Sequence, residues 1–159
     1  MIKLKAFKQK NPSTCGATCL KIVLDYYGIR KSEKEIARLA HTTRKYGTKG
    51  ENIVKVGKLF GFKGIIKEFA EIKDIKKYIN KNIPVITNWF SGWEGHFSVV
   101  YNIDEKNIYF QDPETAESVK MSIHIFKKIW FGTKKRQIYA PKTKANKDLY
   151  LRRIIVLYK

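Results

Sequence analysis

The first half of the chain carries apolar residues at helical spacing. After a turn-forming run at residues 11–14, residues 15–27 are apolar on most faces, which is typical of a central, buried helix, and Gly28 is suited to end it. Ser13 or Thr14 is expected to cap this helix. The same kind of pattern predicts three further helices, at about residues 32–41, 53–60 and 72–80.

The pattern then changes to short runs of β-branched and aromatic residues bounded by turn formers. These runs predict strands at residues 84–89, 97–103, 107–111 and 153–158, with a short helix at 122–131. The second and third strands are joined by three polar residues, so they are expected to form a hairpin. Helices followed by antiparallel strands predict an α+β fold.

Length and composition fit one domain. The chain has 159 residues, of which 43% are hydrophobic, and this is enough to form a core. No apolar run approaches the ~20 residues that a membrane span needs, and the basic N-terminus lacks the apolar segment of a signal peptide. We therefore expect a cytoplasmic protein. The two cysteines do not make a disulfide framework and are expected to be free thiols.

The net charge is strongly positive. There are 33 Lys and Arg residues against 14 Asp and Glu residues, a formal net charge of +19. Such a field attracts polyanions or acidic peptides, although a lysine-rich surface without a functional partner is the alternative. Because the basic residues are spread evenly and not gathered in a block, a nucleic-acid-binding tail is not indicated.

Cys15 opens the predicted buried helix. Backbone N–H groups at a helix N-terminus carry about half a positive charge, which stabilises a thiolate and makes it available as a nucleophile. An inert core cysteine is the alternative interpretation. Cys19 lies one turn later, where a disulfide with Cys15 has poor geometry and no further metal ligands are indicated. Cys19 is therefore assigned to the core.

His96 begins the second predicted strand and Asp112 follows the third. Since these strands form a hairpin with its tip near Asp104, both side chains are expected at its open end, within a residue or two of register. A carboxylate beside an imidazole selects one tautomer and stabilises the cationic ring. Brought against Cys15, the pair supplies a base and an orienting group; a lone hydrogen-bonded histidine is the alternative. The side-chain amide of Gln9 is a candidate donor to an oxyanion.

Several motifs occur in a fixed order along the chain. They are Gln9, CGATCL at residues 15–20, YYG at 26–28, a segment ending in Gly-Phe at 48–62, GHFSVV at 95–100, QDP at 111–113 and a segment at 122–132. This order resembles the double-glycine leader peptidases, which are papain-like cysteine peptidase domains usually found at the N-terminus of bacteriocin-exporting ABC transporters. The resemblance covers about residues 5–140.

The resemblance implies a papain-like fold, in which a helical half that carries the cysteine packs on an antiparallel sheet that carries the histidine and the aspartate. Matched by motif, Cys15 is the nucleophile, His96 the general base and acid, and Asp112 the residue that orients the imidazole. Gln9 corresponds to the oxyanion donor. These implied roles agree with those argued from helix position and hairpin geometry.

Aromatic residues before the histidine are candidates for a wall of the substrate cleft. Trp89 and Trp93, together with Gly95, would then bind substrate. The family cleaves after two glycines, and a narrow cleft lined by aromatic rings would reject larger side chains. Core packing is the alternative for both tryptophans.

Three functions remain open from the sequence. The resemblance implies an endopeptidase that forms a Cys15 thioester and cleaves after the Gly-Gly leader of a bacteriocin-like precursor. The same site could pass its acyl group to an amine, as an acyltransferase or transpeptidase does, and a non-catalytic domain that binds leader peptides or nucleic acid is the third. We expect a monomer without cofactor or metal, with an ABC transporter as a candidate partner. Residues 141–159 are expected to form an extension that ends in the last strand.

Overall fold

A computed structural model describes residues 1–134 and 149–159. Within these ranges the helices are α1 Cys15–Tyr26, α2 Glu33–Leu39, α3 Gly50–Leu59, α4 Ile72–Ile79 and α5 Ile123–Ile129. The strands are β1 Lys63–Lys67, β2 Val85–Phe90, β3 Gly95–Ile103, β4 Asn107–Gln111, β5 Ser118–Ser122, β6 Phe131–Thr133, β7 Leu149–Leu151 and β8 Ile154–Tyr158. The α+β fold predicted from the sequence is confirmed.

The start of α1 differs from the expected cap. Thr14 occupies the position before the helix, as predicted, but its side chain does not cap α1. A short 3₁₀ turn at Pro12–Thr14 comes first, and Asn11 caps it by accepting a hydrogen bond from the Ser13 N–H. The Thr14 hydroxyl donates to the Asn11 carbonyl at 2.9 Å, so it is not available to the first turn of α1.

Six strands form one antiparallel sheet in the order β1-β8-β2-β3-β4-β5. The last strand, β8, lies between β1 and β2, with Ile155 paired to Ile66 on one side and to Ile86 on the other. The last strand expected at residues 153–158 is β8, and it is a central strand of the sheet. Residues 141–148 lie outside the described residues.

Helices cover both faces of this sheet. The central strand β8 has apolar side chains on both faces, and each face packs against a different set of helices. Ile154 and Val156 pack into the core that contains residues of α4 and α5, and Ile155 and Leu157 pack into the core that contains α1, α2 and α3. All four side chains are at most 1% exposed. An uninterrupted apolar run is the expected sequence of a strand buried on both faces.

Four strands were not predicted. β1 and β5 are the two edges of the large sheet, and β6 and β7 form a separate pair of three residues each. In β1 both end residues are exposed lysines and only the middle is half-buried. Lysine is common on edge strands because it opposes pairing with another chain, and it also weakens the apolar signal of the strand.

Helix α1 approaches β3 closely where it begins. A Cβ atom on Gly16 would lie 2.8 Å from the Thr48 Cβ and 3.1 Å from the Phe97 Cδ2. Only glycine therefore lets the first turn of α1 approach this near. The contact brings Cys15 to the strand that carries His96.

None of the helices in the described ranges combines the length and the apolar character that a membrane span requires.

Replacing Ile155 by Ala is expected to lower the free energy of unfolding by about 2–5 kcal/mol. The Ile155 side chain is fully buried, so its truncation leaves a cavity in the core. Ile125→Ala is the matched control; Ile125 is 52% exposed and its replacement should change stability by less than about 0.5 kcal/mol. Urea unfolding of both variants measures the difference. Equal effects would contradict the central position of β8.

Candidate active site

The structure brings the three predicted catalytic side chains together. The Nε2 atom of His96 lies 3.1 Å from each carboxylate oxygen of Asp112, and the ring also shares a hydrogen bond with the Cys15 thiol. Since Nε2 bonds the carboxylate, Nδ1 is the ring nitrogen that remains for the thiol. All three residues are buried, with exposed fractions of 5–7%.

The register of the β3–β4 hairpin explains how Asp112 reaches His96. Val99 pairs with Gln111, so the next residues outward, Ser98 and Asp112, are opposite one another. His96 lies two residues farther along β3, on the same side as Ser98. Asp112 therefore contacts His96 diagonally, which is within reach of a long side chain in an antiparallel pair.

The pair is charged at neutral pH. Burial lowers the pKa of His96, but hydrogen bonds to Asp112 and Cys15 outweigh burial and raise the pKa to about 10. Burial raises the pKa of Asp112, and the hydrogen bond from His96 more than offsets it, so the pKa of Asp112 is lowered. An imidazolium held by a carboxylate is the state that stabilises a neighbouring thiolate.

Two residues behind the pair were missed by sequence reasoning in this role. The Ser98 hydroxyl donates to Asp112 Oδ2 at 3.2 Å, and the Trp89 Nε1–H donates to the Ser98 oxygen at 3.0 Å. The sequence does place Ser98 two residues after His96 in a predicted strand. Because side chains alternate between the faces of a strand, the two lie on the same face. The hydrogen bonds themselves depend on pairing with β2, which the sequence did not specify.

Gln9 lies in the segment that precedes α1. Its backbone N–H donates to the Pro113 carbonyl at 2.7 Å, which ties this segment to the turn after Asp112. Its side-chain Nε2 donates to the Asn11 carbonyl at 3.0 Å. An amide nitrogen has two hydrogens, so one N–H of Gln9 is left for another acceptor.

A buried carboxylate holds the same segment. Glu33 is 5% exposed, and its two oxygens accept the Lys10 N–H at 3.2 and 3.3 Å. One of them also accepts the Thr18 hydroxyl at 2.9 Å. Glu33 therefore links the segment before Cys15 to α1. In the sequence it was only a residue of a capping motif, so nothing there marked this contact.

A cleft opens beside the Cys15 thiol, with about 480 Å³ of space including its open mouth. Its walls are formed by Pro12, Ser13, Tyr46, Gly47, Thr48, Lys49, Gly50, Asn88, Gly95, Phe97, Thr133, Lys134 and Tyr150. A water molecule fits into only a small part of this space, so the cleft is narrow. Asn88 is buried in its wall, and its Oδ1 has no hydrogen-bond partner among the described residues.

The three predicted substrate-binding residues take different places. Gly95 lines the cleft, and a Cβ atom on it would lie 2.7 Å from the backbone nitrogen of Thr133. Trp89 instead lies edge-on to the His96 ring, with ring centres 5.4 Å apart. Trp93 is 67% exposed on the turn before β3. Trp89 thus supports the imidazole, and neither tryptophan is among the described residues that line the cleft.

One group of metal-binding side chains occurs among the described residues. Ligand atoms of His96, Asp112 and exposed Glu114 lie within 4.8 Å of one another. The first two already bond each other, so a cation would have to replace that hydrogen bond. The arrangement therefore favours proton transfer over metal binding.

Comparison with known proteins identifies the family. The sequence profile of the Peptidase C39 family matches residues 3–134. The chain belongs to the Peptidase C39 family. It is thus a cysteine peptidase by family, and the resemblance read from the motifs is confirmed.

Two relatives of this C39 peptidase align over most of the chain. One is the lactococcin transport/processing ATP-binding protein LcnC-like of Lactococcus lactis, with 28% identity over 135 residues, 79% of this chain and 18% of the relative. The other is an uncharacterized protein of Methanothermobacter marburgensis, with 27% identity over 126 residues, 79% of this chain and 82% of the relative. The chain therefore spans less than a fifth of the lactococcal protein.

Solved structures show the same fold. The peptidase domain of Streptococcus ComA, described as a bifunctional ABC transporter involved in quorum sensing, has a TM-score of 0.73 at 23% identity, covering 96% of each chain. A double-glycine motif protease from an AMS/PCAT transporter, in complex with the leader peptide, has a TM-score of 0.71 at 20% identity, covering 98% of this chain and 91% of the other. The papain-like fold expected for the C39 peptidase is confirmed.

The charged pair should make the stability of the peptidase depend on pH. Because the pKa of His96 is raised on folding, protonation of this ring stabilises the fold. The contribution is complete below pH 6.5, the ordinary pKa of histidine, and is lost as the pH rises towards 10. Because the pKa of Asp112 is lowered on folding, its ionised carboxylate also stabilises the fold. This contribution is present above pH 3.8, the ordinary pKa of aspartate, and is lost as the pH falls below that value. The contribution of the pair should therefore be largest between these two ordinary values.

Asp112→Asn should remove most of this dependence. The difference in unfolding free energy between the native chain and the variant is expected to be greater near pH 5 than near pH 9 by more than about 1 kcal/mol. Urea unfolding at both pH values measures it. The same difference at both pH values would show that the pair is not charged as described.

Glu33→Ala should destabilise the peptidase by about 1–3 kcal/mol, because it leaves the Lys10 N–H without its buried acceptor, whereas the Thr18 hydroxyl keeps the Thr14 carbonyl. Glu35→Ala is the matched control. Glu35 forms a partly exposed pair with Lys31, so its loss should cost less than about 0.5 kcal/mol. Thermal unfolding compares the two variants, and similar losses would contradict the role given to Glu33.

Proposed function

We propose that this C39 peptidase cleaves precursor peptides after a Gly-Gly leader, with Cys15 as nucleophile, His96 as general base and acid and Asp112 as the orienting residue. The observation that carries the proposal is the buried, hydrogen-bonded series of thiol, imidazole and carboxylate at the inner end of a narrow cleft. A nucleophile, a base and an orienting acid in contact form the arrangement that acyl transfer requires.

The chemistry follows from the proton positions. Nδ1 of His96 holds the proton that the thiol gives up, and the Cys15 sulfur attacks the carbonyl carbon of the scissile bond. The imidazolium then gives its proton to the departing amine, leaving an acyl thioester on Cys15. Water, deprotonated by the same ring, hydrolyses the thioester and restores the thiol. Asp112 stays ionised throughout and holds the ring through Nε2.

The developing oxyanion needs donors on the side of the cleft where α1 begins. We assign this role to the second N–H of the Gln9 amide and to the backbone N–H of Cys15. The Gln9 amide is held by the Asn11 carbonyl, and its backbone is held by Pro113. A donor fixed before the reaction needs no rearrangement as charge develops on the substrate oxygen.

The narrow cleft supports small residues before the scissile bond. Gly47, Gly50 and Gly95 line it, and Gly95 has no room for a Cβ atom. A pocket of this kind excludes larger side chains by steric contact, which gives strong selection for glycine.

The surface charge supports an acidic leader as the partner of the peptidase. Leaders of such precursors are often acidic amphipathic helices, and a net charge of +19 increases the rate of encounter with them. The double-glycine motif protease from an AMS/PCAT transporter was solved with a leader peptide bound. By that likeness we place this peptidase in the cytoplasm, with an ABC transporter as its candidate partner.

Cys15→Ala should abolish hydrolysis of a peptide that contains a Gly-Gly leader junction, by a factor of about 10³ or more, because no other group can form the thioester. Cys19→Ala is the matched control; Cys19 is a fully buried core residue and its variant should keep most of the activity. Mass spectrometry of the products measures both. Unchanged turnover in Cys15→Ala would disprove the proposed mechanism.

The same assay tests the substrate. Replacing either glycine of the junction by Val should stop cleavage while a Val elsewhere in the peptide should not. Cleavage that ignores both glycines would rule out the Gly-Gly assignment and leave the thioester chemistry standing. Adding a primary amine to the reaction separates hydrolysis from acyl transfer, because only a transferase forms the amide.

A further inference from the structure

A buried series of hydrogen bonds lies behind the imidazole, on the side away from the thiol. The Trp89 Nε1–H donates to Ser98 Oγ at 3.0 Å, and the Ser98 hydroxyl donates to Asp112 Oδ2 at 3.2 Å. Ser98 has no exposed surface. Ser98 takes no part in the proton transfers proposed for Cys15 and His96.

The chemistry of the end groups fixes the direction of this series. An indole N–H can only donate, and an ionised carboxylate can only accept. The Ser98 hydroxyl has a single hydrogen, so once its oxygen accepts from Trp89 that hydrogen is directed to Asp112. Water is excluded from the bond because the hydroxyl is fully buried. Ser98 is therefore held as a donor to the carboxylate.

The bond completes the environment of Asp112. Its Oδ1 accepts the Glu114 N–H at 2.7 Å, its Oδ2 accepts the Ser98 hydroxyl, and both oxygens lie 3.1 Å from His96 Nε2. Every one of these neighbours is a donor, which favours the ionised carboxylate. With one donor fixed on each oxygen, the carboxylate cannot rotate away from the ring.

The same tryptophan also contacts the imidazole. Trp89 is paired with His96 across β2 and β3, and its ring lies edge-on to the imidazole. It thus touches the ring directly and acts on the carboxylate through Ser98. The Ser98 hydroxyl therefore connects the two side chains that orient His96, which are Trp89 and Asp112.

We propose that Ser98 is a positioning residue of the active site, whose hydroxyl, directed by the Trp89 indole, holds Asp112 against His96. This inference rests on the proposed function for its meaning in catalysis. It does not depend on the identity of the substrate, because the geometry of the thiol, imidazole and carboxylate is present without one.

The test measures the reactivity of the thiol without a peptide. The rate of Cys15 alkylation by iodoacetamide is followed from pH 4 to pH 10 in the native chain and in Ser98→Ala, and the labelled residue is identified by mass spectrometry. Loss of the Ser98 hydroxyl should weaken the contact between Asp112 and the imidazolium. The acid limb of the alkylation profile should therefore move to higher pH. The rate near pH 6 is expected to fall about tenfold, within the range for a lost hydrogen bond to a charged group.

Two further variants separate this role from a general loss of stability. Thr87→Val is the control: Thr87 is paired with Ser98, is equally buried and donates to the Arg153 carbonyl instead of to Asp112. It should leave the alkylation profile unchanged. Trp89→Phe keeps a ring against His96 and removes the indole donor, so it should shift the profile in the same direction as Ser98→Ala but less.

A native alkylation profile in Ser98→Ala would overturn the inference, and so would an equal shift in Thr87→Val. If Ser98→Ala does not fold, Trp89→Phe decides alone, and an unshifted profile there overturns it. On a peptide that the native enzyme cleaves, kcat of Ser98→Ala should fall with little change in KM. If the native chain cleaves no peptide but the alkylation profiles shift as expected, the proposed function fails and the positioning role of Ser98 stands.

Discussion

The charged contact between His96 and Asp112 is the constraint around which the site is built. Both side chains are buried, and burying a charge is costly unless it is paired and fully hydrogen-bonded. The structure meets this requirement with donors from a backbone N–H and from the Ser98 hydroxyl in addition to the imidazole itself. The pair therefore depends on the hairpin register and on the neighbouring strand as much as on its own two residues.

Cys15, the proposed nucleophile, comes from the other half of the fold, so the two halves must be fixed to each other. Two contacts do this close to the site: Gly16 lets α1 approach β3, and the Gln9 N–H bonds the Pro113 carbonyl beside Asp112. Within the half that carries Cys15, Glu33 holds the segment that contains Gln9. Each of these contacts involves backbone atoms or, at Gly16, the absence of a side chain. Such contacts leave little freedom for the thiol to move relative to the imidazole.

The sequence predicted those parts of the fold that are set by local burial. Helices such as α1, and strands buried on both faces such as β8, produce long apolar patterns and were located. The edge strand β1 was missed because its ends are exposed lysines. The location of β8 within the sheet was also missed, since strand order depends on pairing between residues far apart in the chain.

The candidate site divides in the same way. Cys15, His96 and Asp112 could be found because each lies at the end of an element, where residue type and position together indicate chemistry. Ser98 and Glu33 could not, because a buried serine or glutamate looks like a surface residue until its partner is known. Their partners, Asp112 and the Lys10 N–H, are brought near only by the folded chain.

The two electrostatic features of the molecule act at different distances. The field of a net charge of +19 is screened over about 10 Å at ordinary salt concentrations, so it affects how fast an acidic peptide reaches the surface. The pair behind Cys15 is buried and is screened much less. Its influence on the thiol is short-ranged and set by hydrogen bonds. If the protein acts as proposed, capture of the peptide and chemistry at the thiol can therefore be changed independently, the first through surface lysines and the second through the residues that hold the imidazole.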